Sequence, residues 1–108
     1  MEIFEAVKAI SSLAHETRLG IFRLLVQAGT PGLSVGEINN AMQIAAPTLS
    51  FHLKELANAG LVSSRHEGRF IYYQANYAAM NGLLAYLTEN CCQGESCMPA
   101  TQCKPGAK

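Results

Sequence analysis

The fold of this chain is decided by residues 47–62, which read PTLSFHLKELANAGLV. Leu49, Leu53 and Leu56 are spaced i, i+4 and i+7, which predicts one apolar stripe on a helix that packs inward. The proline at the start suits a first helical turn, and the glycine near the end suits a helix stop. The opposite side carries a mixed polar and aromatic set: Pro47, Thr48, Phe51, Lys54, Glu55 and Asn58. The segment therefore predicts a short helix with an outer face suited to a partner.

Three helices are predicted before this segment. Apolar residues recur at helical spacing over residues 2–13 and again over residues 19–26, and the second run ends before the glycine- and proline-rich loop 29–32. Ser34 stands three residues before Glu37, which matches the capping box of a third, short helix. Two short helices joined by a few residues, the second with a mixed outer face, form the helix-turn-helix pattern.

A β-hairpin is predicted after the segment. Residues 61–65 and 70–74 are rich in β-prone side chains, and residues 66–69 between them include Gly68, which can take a positive φ. Arg65 and Arg69 flank the turn. We expect this hairpin to form a wing whose two cations reach a phosphate backbone on either side of a groove.

A last helix and a tail complete the chain. Asn76 is suited to cap a helix in which Met80, Leu83, Leu84 and Leu87 form a stripe that Cys91 would continue. Glycine and proline are frequent beyond it, which predicts an irregular tail. The expected organisation is one domain over residues 1–90 and a cysteine-containing tail over residues 91–108.

The composition favours one small intracellular domain. The chain has 108 residues, of which 49% are hydrophobic, enough for a modest core. Eight basic and eight acidic residues give a net charge of zero, so nucleic-acid binding would depend on a local arrangement of charge. The N-terminus lacks a basic leader, and no run reaches the ~18 apolar residues of a membrane span, so we expect a cytoplasmic protein without a membrane partner.

All four cysteines lie in the last 18 residues: Cys91, Cys92, Cys97 and Cys103. This clustering is unlike the spread framework of a secreted disulfide scaffold and predicts thiols with a function. Thiolates select soft or borderline ions and argue against calcium and magnesium. A tetrahedral Zn or Cd site with all four thiols and a redox-sensing thiol cluster both remain open at this point.

Several motifs resemble those of the ArsR/SmtB family of metal-responsive winged-helix repressors. They are SFHLKEL at residues 50–56, AGLV at 59–62 and LAHETRL at 13–19, within an element order that covers residues 3–90. The resemblance implies a mainly α winged helix-turn-helix fold with a small β-hairpin. It also implies a homodimer joined through the first and last helices, whose wide apolar surfaces fit that role. The family represses its own operon until an inducer binds.

The resemblance also narrows the inducer site. Family members with an arsenic site in the third helix carry a Cys-x-Cys pair where this chain has Ser34-Val35-Gly36. The Asp, His and Glu ligands with which the family's zinc sensors bind zinc on the last helix are also missing, because the chain has no Asp and no His after His66. The remaining cysteines resemble the subgroup whose arsenic ligands lie at the C-terminal end of the last helix. This implies As(III) or Sb(III) as inducer, bound by the thiolates of Cys91, Cys92 and Cys97. Cys103 is a further candidate ligand.

Residues 47–54 are expected to enter the major groove of double-stranded operator DNA. Thr48, Ser50 and Phe51 would lie near base edges, with Phe51 against a thymine methyl. The predicted phosphate contacts are the cations Lys54, Arg65, Arg69 and Arg18. His52 flanks the leucine stripe and is expected to be a structural hydrogen-bonding residue.

An enzyme is not predicted, because Ser50 and His52 are two positions apart on a helix and their side chains point apart. A non-DNA-binding arsenic-scavenging protein is the alternative of a different class. It would keep the cysteines but would have no use for the outer face of residues 48–56 or for the wing arginines.

Overall fold

A computed structural model describes residues 1–91, which form five helices and three short strands. The fold is mainly α with a small antiparallel sheet, as predicted: a helix-turn-helix followed by a wing and a closing helix. The elements in chain order are α1 Ile3–Leu13, α2 Glu16–Ala28, β1 Leu33–Ser34, α3 Val35–Met42, α4 Ala46–Asn58, β2 Val62–Glu67, β3 Phe70–Ala75 and α5 Tyr77–Thr88. Among the helices of residues 1–91, none has the length and hydrophobicity of a transmembrane span.

Side-chain caps set where three of the helices begin. The predicted capping box of α3 is confirmed, because the Glu37 N–H donates to Ser34 Oγ at 3.1 Å and the Ser34 N–H donates to Glu37 Oε1 at 2.8 Å. Asn76 caps α5 as predicted, and its Oδ1 accepts from the Ala79 N–H at 3.1 Å. Helix α2 begins earlier than its apolar periodicity indicated, since His15 caps it at Glu16.

The predicted inner face of α4 is confirmed. Leu49, Leu53 and Leu56 are fully buried, and they pack with side chains of α2, α3 and β2 in one core. Pro47 lies in the first turn of the helix, and Gly60 follows it with a φ of 79°, the left-handed conformation that glycine adopts without strain. The largest fully buried side chains of this core are Ile21, Leu25, Ile38, Leu49, Leu53, Leu56 and Leu61.

The sheet has one strand more than was predicted. Strand order is β1-β3-β2, with all pairs antiparallel, and the two-residue β1 pairs Leu33 with Tyr73. Gly32 allows this pairing, because its φ is 74° and a Cβ at that position would lie 2.2 Å from the Tyr73 carbonyl oxygen. Glu67 pairs with Phe70, so the hairpin turn consists of two residues and is shorter than predicted.

Helix α5 ends before the cysteine region. Its last helical residue is Thr88, the next residue has an extended ψ of 138°, and Asn90 has a left-handed φ of 59°. The chain therefore leaves the helical path, and the prediction that Cys91 continues the stripe of Leu87 was wrong. Side-chain periodicity could not reveal this end, because it depends on the backbone conformation of two polar residues.

Candidate nucleic-acid interface

The outer face of α4 carries the predicted base-reading residues. Thr48, Ser50, Phe51 and Lys54 are all exposed, and Phe51 is 56% exposed. They alternate along the chain with the buried leucines, which anchor the helix from its inner side. Polar groups and one aromatic ring on an exposed helix are suited to hydrogen bonds and apolar contacts with base edges in a major groove.

The wing lies beside this helix. Arg69 is exposed and forms the two-residue turn with Gly68, whose φ is 66°. A surface depression between α3, α4 and the wing joins Ser50 to Arg69, and its lining includes Val35, Gly36, Ser50, Leu53, Arg69, Phe70, Ile71 and Tyr73. The structure thus brings one predicted base-reading residue and one predicted phosphate ligand to the same surface.

Arg65 is placed differently from the prediction. It lies in β2 opposite Tyr72, away from the turn, and its guanidinium carbon is 4.9 Å from the centre of the Tyr72 ring. Its Nε is 2.7 Å from Glu67 Oε2, and its Nη2 donates to the Pro31 carbonyl at 3.0 Å. The hydrogen bond to Pro31 fastens the wing to the loop after α2. Arg65 is engaged within the chain, where it is suited to holding the wing.

Arg18 is also engaged within the chain. Its Nε donates to the Ser12 carbonyl at 2.7 Å, and its Nη1 lies 3.1 Å from Nδ1 of His52. A guanidinium can only donate, so His52 Nδ1 is the acceptor. His52 is 6% exposed, and its predicted structural hydrogen bond is confirmed. The partner lies 34 positions away in the sequence, beyond the reach of a periodicity argument.

The surroundings of His52 favour a neutral ring. Burial lowers the pKa of His52 below 6.5, and the nearby His15 and Arg18 lower the pKa further, while Glu55 raises it. The His15 ring centre is 4.7 Å away, and Nδ1 of His15 accepts from the Thr17 N–H at 3.2 Å as the cap of α2. Both imidazoles thus use Nδ1 as an acceptor, which requires that nitrogen to carry no proton.

The predicted thiol site lies almost wholly outside the described residues. Cys91 is half-buried, whereas Cys92, Cys97 and Cys103 fall outside residues 1–91. Within that range, no group of three or more His, Cys or Glu side chains is placed to hold a metal ion. At the start of α3, the Ser34 hydroxyl is used for capping. A thiolate site of three ligands must therefore draw on the tail.

An apolar surface remains on the terminal helices. Phe4 of α1 is 74% exposed and Leu87 of α5 is 57% exposed. The two helices are in contact, and their other exposed apolar side chains are Ile3, Val7, Ile10 and Leu84. Six exposed apolar side chains on two helices in contact are suited to association with another chain.

Three comparisons with known proteins agree with this architecture. A family model described as a helix-turn-helix domain matches residues 13–65. The arsenical resistance operon repressor of Bacillus subtilis is 35% identical over 81 residues, which cover 75% of this chain and 73% of that protein.

Several solved structures share the fold. HlyU from Vibrio cholerae N16961 has a TM-score of 0.65 and 34% identity, covering 81% of this chain and 97% of HlyU. The homodimeric winged helix-turn-helix DNA-binding domain Mb0332 from Mycobacterium bovis has a TM-score of 0.66 and 25% identity, with 89% of each chain covered. HlyU is known as a transcriptional activator and the B. subtilis relative as a repressor, so similar chains differ in the direction of regulation.

Proposed function

Because the chain belongs to the ArsR family of winged helix-turn-helix DNA-binding transcriptional regulators, we propose that it is a homodimeric repressor released from its operator by As(III) or Sb(III). The observation that carries the DNA-binding part is the exposed outer face of α4 beside the wing tip. The inducer part rests on the donor set, since the chain concentrates its four thiols at residues 91–103. The name of the B. subtilis relative supports the same inducer.

The operator contacts follow from α4 and the wing. Thr48, Ser50 and Phe51 would meet base edges, while Lys54 and Arg69 would meet phosphates. One chain offers few cations, and a dimer doubles the number. Two copies of α4 would then face half-sites about 34 Å apart, one turn of the duplex.

The dimer is proposed to bury the apolar surface of α1 and α5. Exposed side chains of Phe4, Val7, Leu84 and Leu87 supply apolar area that one chain leaves in water. The homodimeric state of the M. bovis relative supports a dimer, and the exposed apolar side chains of α1 and α5 are the basis for placing its interface there. A dimer built this way leaves α4 and the wing, which lie on other elements, accessible to DNA.

The inducer chemistry requires no redox step. Trihydroxyarsenic(III) exchanges its three hydroxyl groups for the sulfurs of three cysteine thiols. Each thiol proton leaves with one hydroxyl group as water, so three As–S bonds replace three As–O bonds and arsenic stays trivalent. Cys91, Cys92 and Cys97 are the proposed ligands, with Cys103 as a further candidate. The donor set fits, because soft thiolates prefer a thiophilic ion over hard cations. Release from DNA requires that the inducer bind the DNA-free dimer more tightly, and by reciprocity DNA must weaken inducer binding by the same factor.

Fluorescence anisotropy tests the proposal. The probe is a labelled duplex obtained by repeated selection from a random-sequence library with the parent protein, hereafter the selected duplex. Arsenite in the presence of reductant should release the parent protein from it. Cys91→Ser, Cys92→Ser and Cys97→Ser should each bind the selected duplex but resist arsenite, whereas a response retained by Cys103→Ser would assign Cys103 no ligand role.

The same assay separates the alternatives. Release by peroxide but not by arsenite under reductant would show a redox-sensing repressor. Release by Zn²⁺ or Cd²⁺ alone, lost in all four Cys→Ser variants, would show a tetrahedral thiolate sensor. Arsenite binding by a protein for which no duplex can be selected would show a scavenging protein.

A further inference from the structure

Arg18 joins the recognition helix α4 to two other elements. It lies on α2, and its guanidinium donates to the carbonyl of Ser12 near the end of α1 at 2.7 Å and to His52 of α4 at 3.1 Å. Arg18 is half-buried and His52 is buried. The guanidinium of Arg18 on α2 therefore links an acceptor on α1 to an acceptor on α4.

We infer that Arg18 is a positioning residue for DNA binding, which acts through His52 to fix the rotation and tilt of α4 relative to the core. In this role Arg18 stays engaged within the chain when the protein binds DNA, and it makes no phosphate contact.

The leucines of α4 do not fix its orientation by themselves. Contacts of Leu49, Leu53 and Leu56 with the core are apolar and therefore non-directional. The hydrogen bond from Arg18 to His52 depends strongly on distance and angle, so it penalises a small rotation of the helix that apolar packing would tolerate. It lies on the inner face, where it restrains the helix without occupying the reading surface.

His52 passes this restraint to the outer face. Its ring packs edge-on against Phe51, with 5.5 Å between the ring centres, and Phe51 is exposed on the proposed DNA surface. The ring of His15, the residue that caps α2, also lies against His52, with 4.7 Å between the ring centres. His52 thus contacts both the start of α2 and the aromatic side chain proposed to reach a base.

The restraint works with a neutral His52. The charged and titratable groups around His52 are Arg18 of α2, His15 at the cap of α2 and Glu55 of α4. Helix α1 contributes the Ser12 carbonyl, which accepts from Arg18. Lys8 of α1 lines the same surface depression as Arg18 and Glu55. A proton on Nδ1 would face the Arg18 donor at 3.1 Å and replace the attraction by repulsion. Mild acid should therefore weaken the restraint.

Matched variants at both positions test the inference by anisotropy with the selected duplex. His52→Leu removes the acceptor but keeps a buried side chain, and Arg18→Met removes the donor but keeps the aliphatic stem. We expect each to bind about tenfold more weakly, the size typical for loss of a hydrogen bond to a charged group. His52→Asn, whose Oδ1 takes the place of Nδ1, should bind within about threefold of the parent. The double variant should bind about as weakly as either single variant, because both remove the same interaction.

Two further measurements separate positioning from the other roles. If Arg18 binds a phosphate, Arg18→Met alone will reduce the salt dependence of binding, whereas positioning predicts the parent slope for Arg18→Met and His52→Leu alike. Circular dichroism at the assay temperature should show all variants folded. Parent-like binding by His52→Leu, additive losses in the double variant, a reduced salt slope for Arg18→Met, or losses that follow the unfolded fraction would each overturn the inference.

Discussion

Helices α4 and α5 have nearly equal lengths, 13 and 12 residues, but they are buried in opposite ways. Within the described chain, α4 buries Leu49, His52, Leu53 and Leu56, whereas α5 buries Leu83 and leaves Leu84 and Leu87 54% and 57% exposed. Contacts within one chain therefore suffice to place α4. Helix α5 presents apolar surface that a second chain can cover. Helix α4, which we propose to contact DNA, is thus held by its own chain, whereas the proposed association surface on α5 stays exposed in one chain.

The largest effect should follow from a change on the inner face of α4. Leu53→Ala should lower the free energy of unfolding by about 3 kcal/mol, because it removes buried methyl groups and leaves a cavity in a core that cannot fully collapse. Urea unfolding followed by circular dichroism measures this loss. Leu19→Ala, on the exposed side of α2, is the matched control and should cost less than about 1 kcal/mol. Equal costs at the two positions would mean that α4 is not anchored as its burial indicates.

A change on α5 should act on association and spare the fold. The double variant Leu84→Ser/Leu87→Ser should raise the dimer dissociation constant about a hundredfold, since two apolar side chains per subunit lose their gain from burial. Sedimentation equilibrium measures the constant, and helix content should remain that of the parent. Leu19→Ser, which exposes a polar group outside the terminal helices, should leave the constant unchanged. A parent-like dimer in the double variant would move the interface away from α5.

The wing beside α4 carries two arginines that are expected to differ in their contribution to DNA binding. Arg69→Ala removes the exposed cation at the turn, and we expect the affinity for the selected duplex to fall about tenfold and the salt slope by about 2 per dimer. Arg65→Ala removes a side chain that is already paired with Glu67 and packed on Tyr72, so the salt slope should stay near the parent value. Anisotropy over a range of salt concentrations measures both. A smaller salt slope for Arg65→Ala than for the parent would show that Arg65 contacts a phosphate.

The sequence was sufficient for features that repeat over short distances. The leucine stripe of α4, the capping box of α3 and the Asn76 cap all depend on residues within one or two helical turns, so they could be predicted. The two-residue strand β1 has no period to detect, and it depends on Gly32 approaching Tyr73 across the sheet. A short element of this kind is formed by tertiary contacts.

The candidate site was predictable to a similar extent. Helical periodicity placed Thr48, Phe51 and Lys54 on the outer face, where they are exposed. It could not assign the distant partners, because Arg18 donates to His52 and Arg65 donates to Pro31, each 34 positions away. Both were predicted as phosphate ligands from their charge and their place in the chain, Arg65 beside the hairpin turn and Arg18 at the start of the second helix. The partner of an arginine side chain depends on which acceptors the fold places within its reach.

The smallest effect concerns the one titratable side chain buried in α4. The pKa of His52 lies below 6.5 in the folded protein, because burial and then His15 and Arg18 disfavour its charged form. Above pH 6.5 the ring is neutral in both the folded and the unfolded chain, so the full stability is present. As the pH falls from 6.5 through the lowered folded pKa, the unfolded chain binds the proton first. The free energy of unfolding must therefore decrease over this window.

His52→Asn should flatten this decrease, since the amide keeps the acceptor for Arg18 but does not titrate. Urea unfolding at fixed protein concentration, from pH about 7.5 to about 5, gives the slope for both proteins. Leu19→Ala is the control, because it changes an exposed side chain that carries no titratable group and should leave the parent slope. Equal slopes for the parent and His52→Asn would show that the ring is not held neutral by the fold. The position of α4 would then depend on the apolar packing of its buried leucines alone, and Arg18 would be available for another contact.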